Sequence, residues 1–388
     1  MKITFLTLDI FGMGGTIRTV LNVANYLVNN GYEVEIVSVL RYRKEPFFYI
    51  DPKIRIVVLH SKLIKRVNKK GLEGKIINFL DKSKSKLIHP DDEGHHHFSL
   101  LTDIKMYKYL KDIKEGVLIS TRPSFNIFTA KYVNKNVVTI GQEHLNLSIY
   151  PKRLQKSIKK YYPKLNYLAT LTDDDTLDYK KLFSNEKIQI VKLTNSIPPF
   201  ESKLSTLEDK TILAAGRLVP QKGFDLLIEA FAKIVDKVPD WKVKIFGAGK
   251  DKEMLQDMIA ERHLYNNVLL MGPTQEIEKE LTRSSIYALS SRFEGFGMVI
   301  VEAMQCGVPV VSFDCPKGPG EIIAHNEDGI LVEDGNIDAF ADALLELIED
   351  KNKRIKFGEK AVENVKRYTI DEIGKQWDSV LKKISIVE

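Results

Sequence analysis

The sequence predicts an α/β protein of two parallel-sheet domains, on three observations. Its 388 residues are more than one hydrophobic core ordinarily holds. Short β-branched runs alternate with helical periodicity along most of the chain, the pattern that builds parallel sheets with right-handed crossovers. Residues 193–199, with Pro198 and Pro199 paired, and the polar run 202–210 interrupt that alternation, because proline disfavours both helix and inner strand.

The first unit sets the pattern. Residues 2–8 read as a buried strand, Gly12, Gly14 and Gly15 make a turn, and Ile17, Val20, Leu21, Ala24, Leu27 and Val28 fall on one helical face. Gly31 ends that helix. Further strands are expected at 33–40, 55–60, 117–121, 137–140, 167–172 and 188–192. After the break come strands at 211–215, 242–246, 268–271, 286–290, 308–313 and 329–332, with helices that include 224–235, 299–306 and 337–349. At the C-terminus, Ile370, Ile373, Trp377, Val380, Leu381 and Ile384 recur at helical spacing.

An apolar content of 44% with 28% charged residues fits a soluble globular protein. No apolar run approaches the roughly 18–20 residues of a membrane span. Asp9 interrupts the apolar N-terminus and no small-residue cleavage site follows, so that segment reads as a strand and not as a targeting signal. Cys306 and Cys315 make no disulfide framework, which fits a reducing cytoplasm. Residues 1–195 hold 33 Lys/Arg against 19 Asp/Glu, a net of +14, while the remainder has 25 against 33, a net of −8. The basic half suits an anionic partner, a membrane surface, a phosphate-rich acceptor or nucleic acid; the bland alternative is a lysine-rich composition.

Residues 61–100 interleave Lys62, Lys65, Arg66, Lys69, Lys70, Lys75, Lys82, Lys84 and Lys86 with Ile64, Val67, Leu72, Ile76, Ile77, Phe79 and Leu80. They read either as an amphipathic basic segment on anionic lipid or as a solvated helical insertion. Adjacent His95, His96 and His97 lack the spacing that converges on one metal ion, so no metal site is expected there.

Three segments carry chemistry. In the turn at 12–15, Gly12 and Gly14 match a dinucleotide fingerprint, but Ile17 fills its third glycine position. Arg41 follows the second strand where an acidic ribose ligand would stand, which disfavours a nicotinamide or flavin cofactor. The second segment, 215–224, places Arg217 and Lys222 in a turn after a strand, where a planar fork and a point charge could grip a diphosphate. The third, 290–306, has Glu294 in a loop, Phe296, Gly297 and Met298 at a helix start with free N–H donors, and Glu302 inside an apolar helix. A carboxylate there needs partners, and ligand hydroxyls would serve; the bland readings are surface charge and a solvent-facing glutamate.

GRLVPQKG, SSRFEGFGMVIVEAMQCGVPVVSFDC, GPGEII and DGILV, in that order, resemble the second domain of family 4 retaining glycosyltransferases, including the seven-residue gap between Glu294 and Glu302. The similarity covers most of the chain and is loose over 41–115. It implies the GT-B fold, two Rossmann-like domains facing across a deep cleft, with an acceptor domain at 1–195, a donor domain at 196–367 and a crossover helix at about 368–388 returning to the first domain. It implies a metal-independent enzyme without a cofactor, for which a nucleotide sugar is co-substrate. Arg217 and Lys222 would hold the diphosphate and Glu302 the ribose. Glu294 and the backbone at Phe296, Gly297 and Met298 would contact the donor sugar or phosphates. Gly14 and Gly15 would complete the phosphate site, and backbone near Gly272 and Pro273 would read the base, with uridine favoured. His144 would face the reacting sugar; the bland reading is a hydrogen-bonded loop histidine. Asp173, Asp174 and Asp175 contain a D-x-D pattern but sit where acids favour a helix N-terminus, so they read as a cap.

The expected reaction moves a hexose or N-acetylhexosamine from a UDP-sugar to a cell-surface glycan, teichoic acid, capsule or lipid-linked acceptor, in the cytoplasm and peripherally at the inner membrane face. Alternatives are a non-catalytic partner of another transferase, a sugar-nucleotide epimerase or a phosphorylase. No nucleic-acid recognition motif is present in the sequence.

Overall fold

The computed structural model describes residues 1–63, 71–199 and 203–387, with side chains to residue 384. The chain forms two compact units, Met1–Ser196 with Ile370–Glu388, and Ile197–Thr369.

The first unit runs β1 (Lys2–Thr7), α1 (Gly15–Asn29), β2 (Glu33–Arg41), β3 (Arg55–Ser61), α2 (Leu72–Lys82), α3 (Leu100–Asp112) and β4 (Val117–Ser120). It continues through α4 (Pro123–Tyr132), β5 (Val138–Gln142), α5 (Lys152–Tyr161), β6 (Tyr167–Thr170), α6 (Asp173–Leu182) and β7 (Gln189–Lys192). Its sheet is parallel, in the order β3-β2-β1-β4-β5-β6-β7. Ile3, Phe5 and Leu6 are all buried, as strands covered by helices on both faces require.

The second unit runs β8 (Thr211–Ala215), α7 (Phe224–Ala232), β9 (Lys242–Phe246), α8 (Lys252–Glu261), β10 (Val268–Gly272), α9 (Ile277–Leu281) and β11 (Ile286–Leu289). It ends with α10 (Met298–Gln305), β12 (Val310–Phe313), α11 (Pro319–Ile322), β13 (Gly329–Val332), α12 (Ile337–Glu349) and α13 (Lys351–Asn364). Its parallel sheet has the order β10-β9-β8-β11-β12-β13. The last helix, α14 (Ile370–Val387), belongs to the first unit and shares a core with α1, where Ile373, Trp377 and Leu381 are buried with Val20, Ala24 and Leu27. A Cβ on Gly374 would fall 2.5 Å from the Tyr26 ring, so the close approach of α14 to α1 needs glycine there.

Some expected boundaries move for local reasons. The strand expected over 167–172 stops at Thr170, because Thr172 caps α6. The strand expected from 308 begins at Val310, after Gly307 in a left-handed conformation and Pro309, which has no N–H to donate. The helix expected over 224–235 ends at Ala232. Between β3 and α3, the described residues form α2, a loop closed by an antiparallel bridge between Lys84 and Ser99, and a 3-10 turn at His95–His97. Ile64, Lys65, Arg66, Val67, Lys69 and Lys70 lie outside the described residues. No helix among the described residues is long and apolar enough to cross a membrane.

Candidate active site

In the second unit, strand order reverses between β8 and β11. Loops that leave the carboxyl ends of such a pair diverge and open a crevice, the usual ligand site of doubly wound sheets. The loop after β8 carries Arg217 and Lys222, and the loop after β11 carries Glu294.

Backbone contact ties these loops together. Gly223 has φ +60°, and a Cβ on it would lie 2.0 Å from the Ser290 carbonyl oxygen. Arg292 N–H donates to the Gln221 carbonyl at 2.9 Å, and Ser290 Oγ donates to the Lys222 carbonyl at 3.1 Å. Gly216 clears the path of the Lys222 stem, since a Cβ there would sit 3.1 Å from Lys222 Cε. The ammonium therefore reaches Glu294, with Nζ 2.6 Å from Oε1. Ser291 Oγ donates to the same oxygen at 2.6 Å. Glu294 is 5% exposed, and a carboxylate that deep requires this pairing.

Arg217 is exposed and donates to Gln221 Oε1 at 3.2 Å, while Gln221 Nε2 donates to the Phe293 carbonyl at 3.1 Å. Arg292 faces elsewhere and pairs with Asp225 at 2.6 Å. Below the loops, the buried Tyr287 hydroxyl donates to the Ala215 carbonyl at 3.3 Å. Burial, then the Glu294 and Glu302 carboxylates, push its pKa far above the usual tyrosine value. Both acids thus bear on one buried hydroxyl.

Gly297 caps α10 with φ +98° and no side-chain cap. The first N–H groups of a helix lack intrahelical acceptors, which makes this end a donor cluster. Phe296 turns its ring inward, edge-on to Tyr368 at 5.4 Å. Its carbonyl would lie 2.3 Å from a Cβ on Gly318, which draws the loop after β12 to the same place. Glu302 is buried on α10. Gly272 and Pro273 lie at the end of the edge strand β10, two strands from β8, where the Gly272 carbonyl accepts from Gly247 N–H at 2.9 Å.

Gly14, Gly15 and His144 belong to the first unit. Gly14 caps α1, Gly15 is its first residue, and nothing lies within 4 Å of a Cβ on Gly14. His144 follows β5 on a half-buried loop, and its buried Nε2 has no hydrogen-bond partner. Burial lowers its pKa to about 4, so the imidazole is neutral at pH 7. Beside it, burial raises the Glu143 pKa to about 7 against hydrogen bonds from Tyr150, Tyr162 and Asn126. Among the aspartates, Asp175 N–H donates to Thr172 Oγ1 at 3.1 Å and Asp173 pairs with Lys192 at 2.8 Å. Among the described residues, no three His, Cys, Asp or Glu side chains form a metal-ligating cluster.

The structure therefore joins Lys222, Glu294 and, through Gln221, Arg217 at the strand-order reversal. It leaves Gly272 and Pro273 at the sheet edge. Sequence reasoning missed Ser291, Gln221, Tyr287 and Glu143, although Ser291 and Gln221 lie inside the motifs it read. It also missed Gly247 and Gly249, whose Cβ atoms would fall 1.8 Å from the Gly216 carbonyl and 2.1 Å from that of Leu218. Two glycines directly after a strand were the available signal.

Two parallel-sheet α/β units, with charged loops at the switch point of the second, fit the expected GT-B class. The glycosyl transferases group 1 family matches residues 199–364. An uncharacterised glycosyltransferase of Haemophilus influenzae is 30% identical, over 98% of this chain and 99% of its own length. The exopolysaccharide phosphotransferase SCO2592 of Streptomyces coelicolor is 33% identical over 99% of this chain, which spans 41% of that relative's length. A point mutant of S. aureus TarM, solved with Fondaparinux, alpha-GlcNAc-glycerol and UDP, superposes with a TM-score of 0.78 at 22% identity, covering 98% of this chain and 100% of TarM. The chain belongs to the glycosyl transferases group 1 family.

Proposed function

We propose that this protein is a retaining, family 4 hexosyltransferase that transfers a hexose or N-acetylhexosamine from a UDP-sugar to a cell-envelope glycan, polyol-phosphate polymer or lipid-linked acceptor. The observation that carries the reading is the Lys222–Glu294 contact of 2.6 Å at the switch point, beside the N-terminus of α10. There one cation and one acid can each exchange their mutual contact for a ligand group. Lys222 and Arg217 neutralise the departing diphosphate, the role a divalent metal plays elsewhere and a large electrostatic contribution to such reactions. Glu294 orients donor-sugar hydroxyls and Glu302 the ribose hydroxyls. The N–H groups of Gly297 and Met298, with backbone at Phe296, contact sugar and phosphate oxygens, and Gly14 and Gly15 of the first unit offer backbone donors of the same kind. Gly272 and Pro273 present backbone to the base. His144, neutral by burial, is the first unit's hydrogen-bond partner for a sugar hydroxyl.

The bond from the anomeric carbon to the diphosphate oxygen breaks, and the acceptor oxygen bonds to that carbon on the same face. The acceptor proton passes to the departing phosphate oxygen, so no covalent enzyme intermediate and no cofactor are required. UDP is favoured by the resemblance and by the ligand of TarM. The basic first unit suits a phosphate-bearing or membrane-held acceptor, reached peripherally at the inner membrane face.

A thermal-shift panel of UDP-, GDP- and ADP-sugars, read with nucleotide release, tests this. A donor at 100 times its Kd stabilises the fold by about 2.7 kcal/mol, and the UDP series is expected to do so and to release UDP. No shift and no release with any sugar nucleotide would defeat the transferase reading; a shift without release would leave a binding subunit.

A further inference from the structure

Helix α2 has no buried residue. Its large apolar side chains Leu72, Ile76 and Phe79 are 76%, 51% and 68% exposed. At 3.6 residues per turn these positions form one stripe, flanked on one side by exposed Lys75 and Lys82, which make no ion pair among the described residues. The adjoining helix α3 packs against α2 and exposes Ile104 and Tyr107 one turn apart, beside exposed Lys108 and Lys111. Five of the fifteen large hydrophobic residues exposed among the described residues therefore lie on these two helices. Glu73 and Asp112 are the exposed acids on the same elements; Asp81 pairs with His60 and Lys62, and Asp103 is buried.

A helix with a leucine-isoleucine-phenylalanine stripe and a lysine flank has the composition of one that lies in a lipid interface. We propose that α2, supported by α3, is a membrane-docking surface that seats its apolar stripe among the acyl chains of an anionic bilayer and sets Lys75 and Lys82 against the headgroups. The inference rests on the reading of a membrane-held acceptor and names the element that reaches the membrane. Charge selects this occupant. A second copy would bring another +14 half-chain against this one, and like charge opposes that contact. A polyol-phosphate polymer would satisfy the lysines but offers no apolar surface for Leu72, Ile76 and Phe79.

Sedimentation of the full chain with vesicles of phosphatidylglycerol and phosphatidylcholine tests it, without donor present. The chain is expected to bind anionic vesicles and to bind pure phosphatidylcholine weakly. The triple variant Leu72→Ser, Ile76→Ser, Phe79→Ser removes only exposed surface, so it is expected to keep its circular dichroism and UDP release while its partitioning falls at least about tenfold. Phe79→Trp keeps the stripe, and the emission it adds over the parent chain is expected to shift to the blue on anionic vesicles. Equal partitioning of the triple variant, an unshifted emission from the Phe79→Trp variant, or a dimer in light scattering that the triple variant dissolves overturns the proposal. So does binding to glycerol-phosphate polymer with none to vesicles. Loss of UDP release with intact vesicle binding would instead strike the transferase reading.

Discussion

In the second unit, the loop after β11 buries a charge with its counter-ion, Glu294 with Lys222 at 2.6 Å. In the first, the loop after β5 carries Glu143 and His144, both driven toward their neutral forms by burial. Similar βα scaffolds thus hold polar side chains in two electrostatic states. At the loop after β11 a cation and an acid meet at 2.6 Å, and under the proposed reading each exchanges that contact for a ligand group. A neutral histidine with an unpartnered Nε2 can share a hydrogen bond without adding charge.

The comparison breaks most sharply at Lys222. Lys222→Ala leaves Glu294 buried without its ammonium, so a stability loss of roughly 3 kcal/mol in urea titration is expected. Turnover, measured as UDP release, is expected to fall by about 10²–10³. Near-full turnover would show that the pair only holds the loops together. Gly223→Ala tests the loop contact itself, because φ +60° and the Ser290 carbonyl both oppose a Cβ. A loss on the order of 2–4 kcal/mol is expected, and an unchanged denaturation midpoint would show that the two loops separate freely.

The neutral loop is sharpened by pH. Glu143 keeps its proton to about pH 7 in the fold, against 4.5 when unfolded. The stability it contributes is full below pH 4.5 and is lost as pH rises through 7. For His144 the sign is opposite: with a folded pKa of about 4 against 6.5 unfolded, its contribution is present above pH 6.5 and is lost as pH falls through 4. Glu143→Gln is therefore expected to remove a decline of roughly 1–3 kcal/mol between pH 4.5 and 7, leaving the rise due to His144. Melting temperatures across that range decide it, and parallel curves for variant and parent would count against a neutral Glu143. The smallest structural effect belongs to Arg217, whose side chain is exposed. Arg217→Ala is expected to change stability by less than about 0.5 kcal/mol while weakening UDP-sugar binding about tenfold in calorimetry. A large fall in melting temperature would give this residue a structural role.

All thirteen strands among the described residues were legible from short β-branched runs; the central ones, such as β1, β4 and β8, are buried on both faces and leave an uninterrupted apolar signature, while the edge strands β3, β7 and β10 are mostly half-buried. Their ends were less so. Thr170 and Val310 bound their strands through a cap and a proline that act over one or two residues. The candidate site was legible as two motifs, 215–224 and 290–306, through their glycines and charges. That Lys222 and Glu294 touch was not, since the two residues are seventy-two positions apart.

The sequence by itself determined the βα alternation, the break near Pro198 and the choice of charged residues for the loops. These follow from side-chain burial and backbone freedom, which act over a few neighbouring positions. Only the tertiary structure decided which loops meet at the strand-order reversal, that Tyr287 feels both carboxylates, that burial pushes Glu143 and His144 toward neutrality, and that α2 leaves its apolar stripe exposed among the described residues. Each of these depends on what distant segments pack against, and hydrophobic periodicity carries no record of that partner.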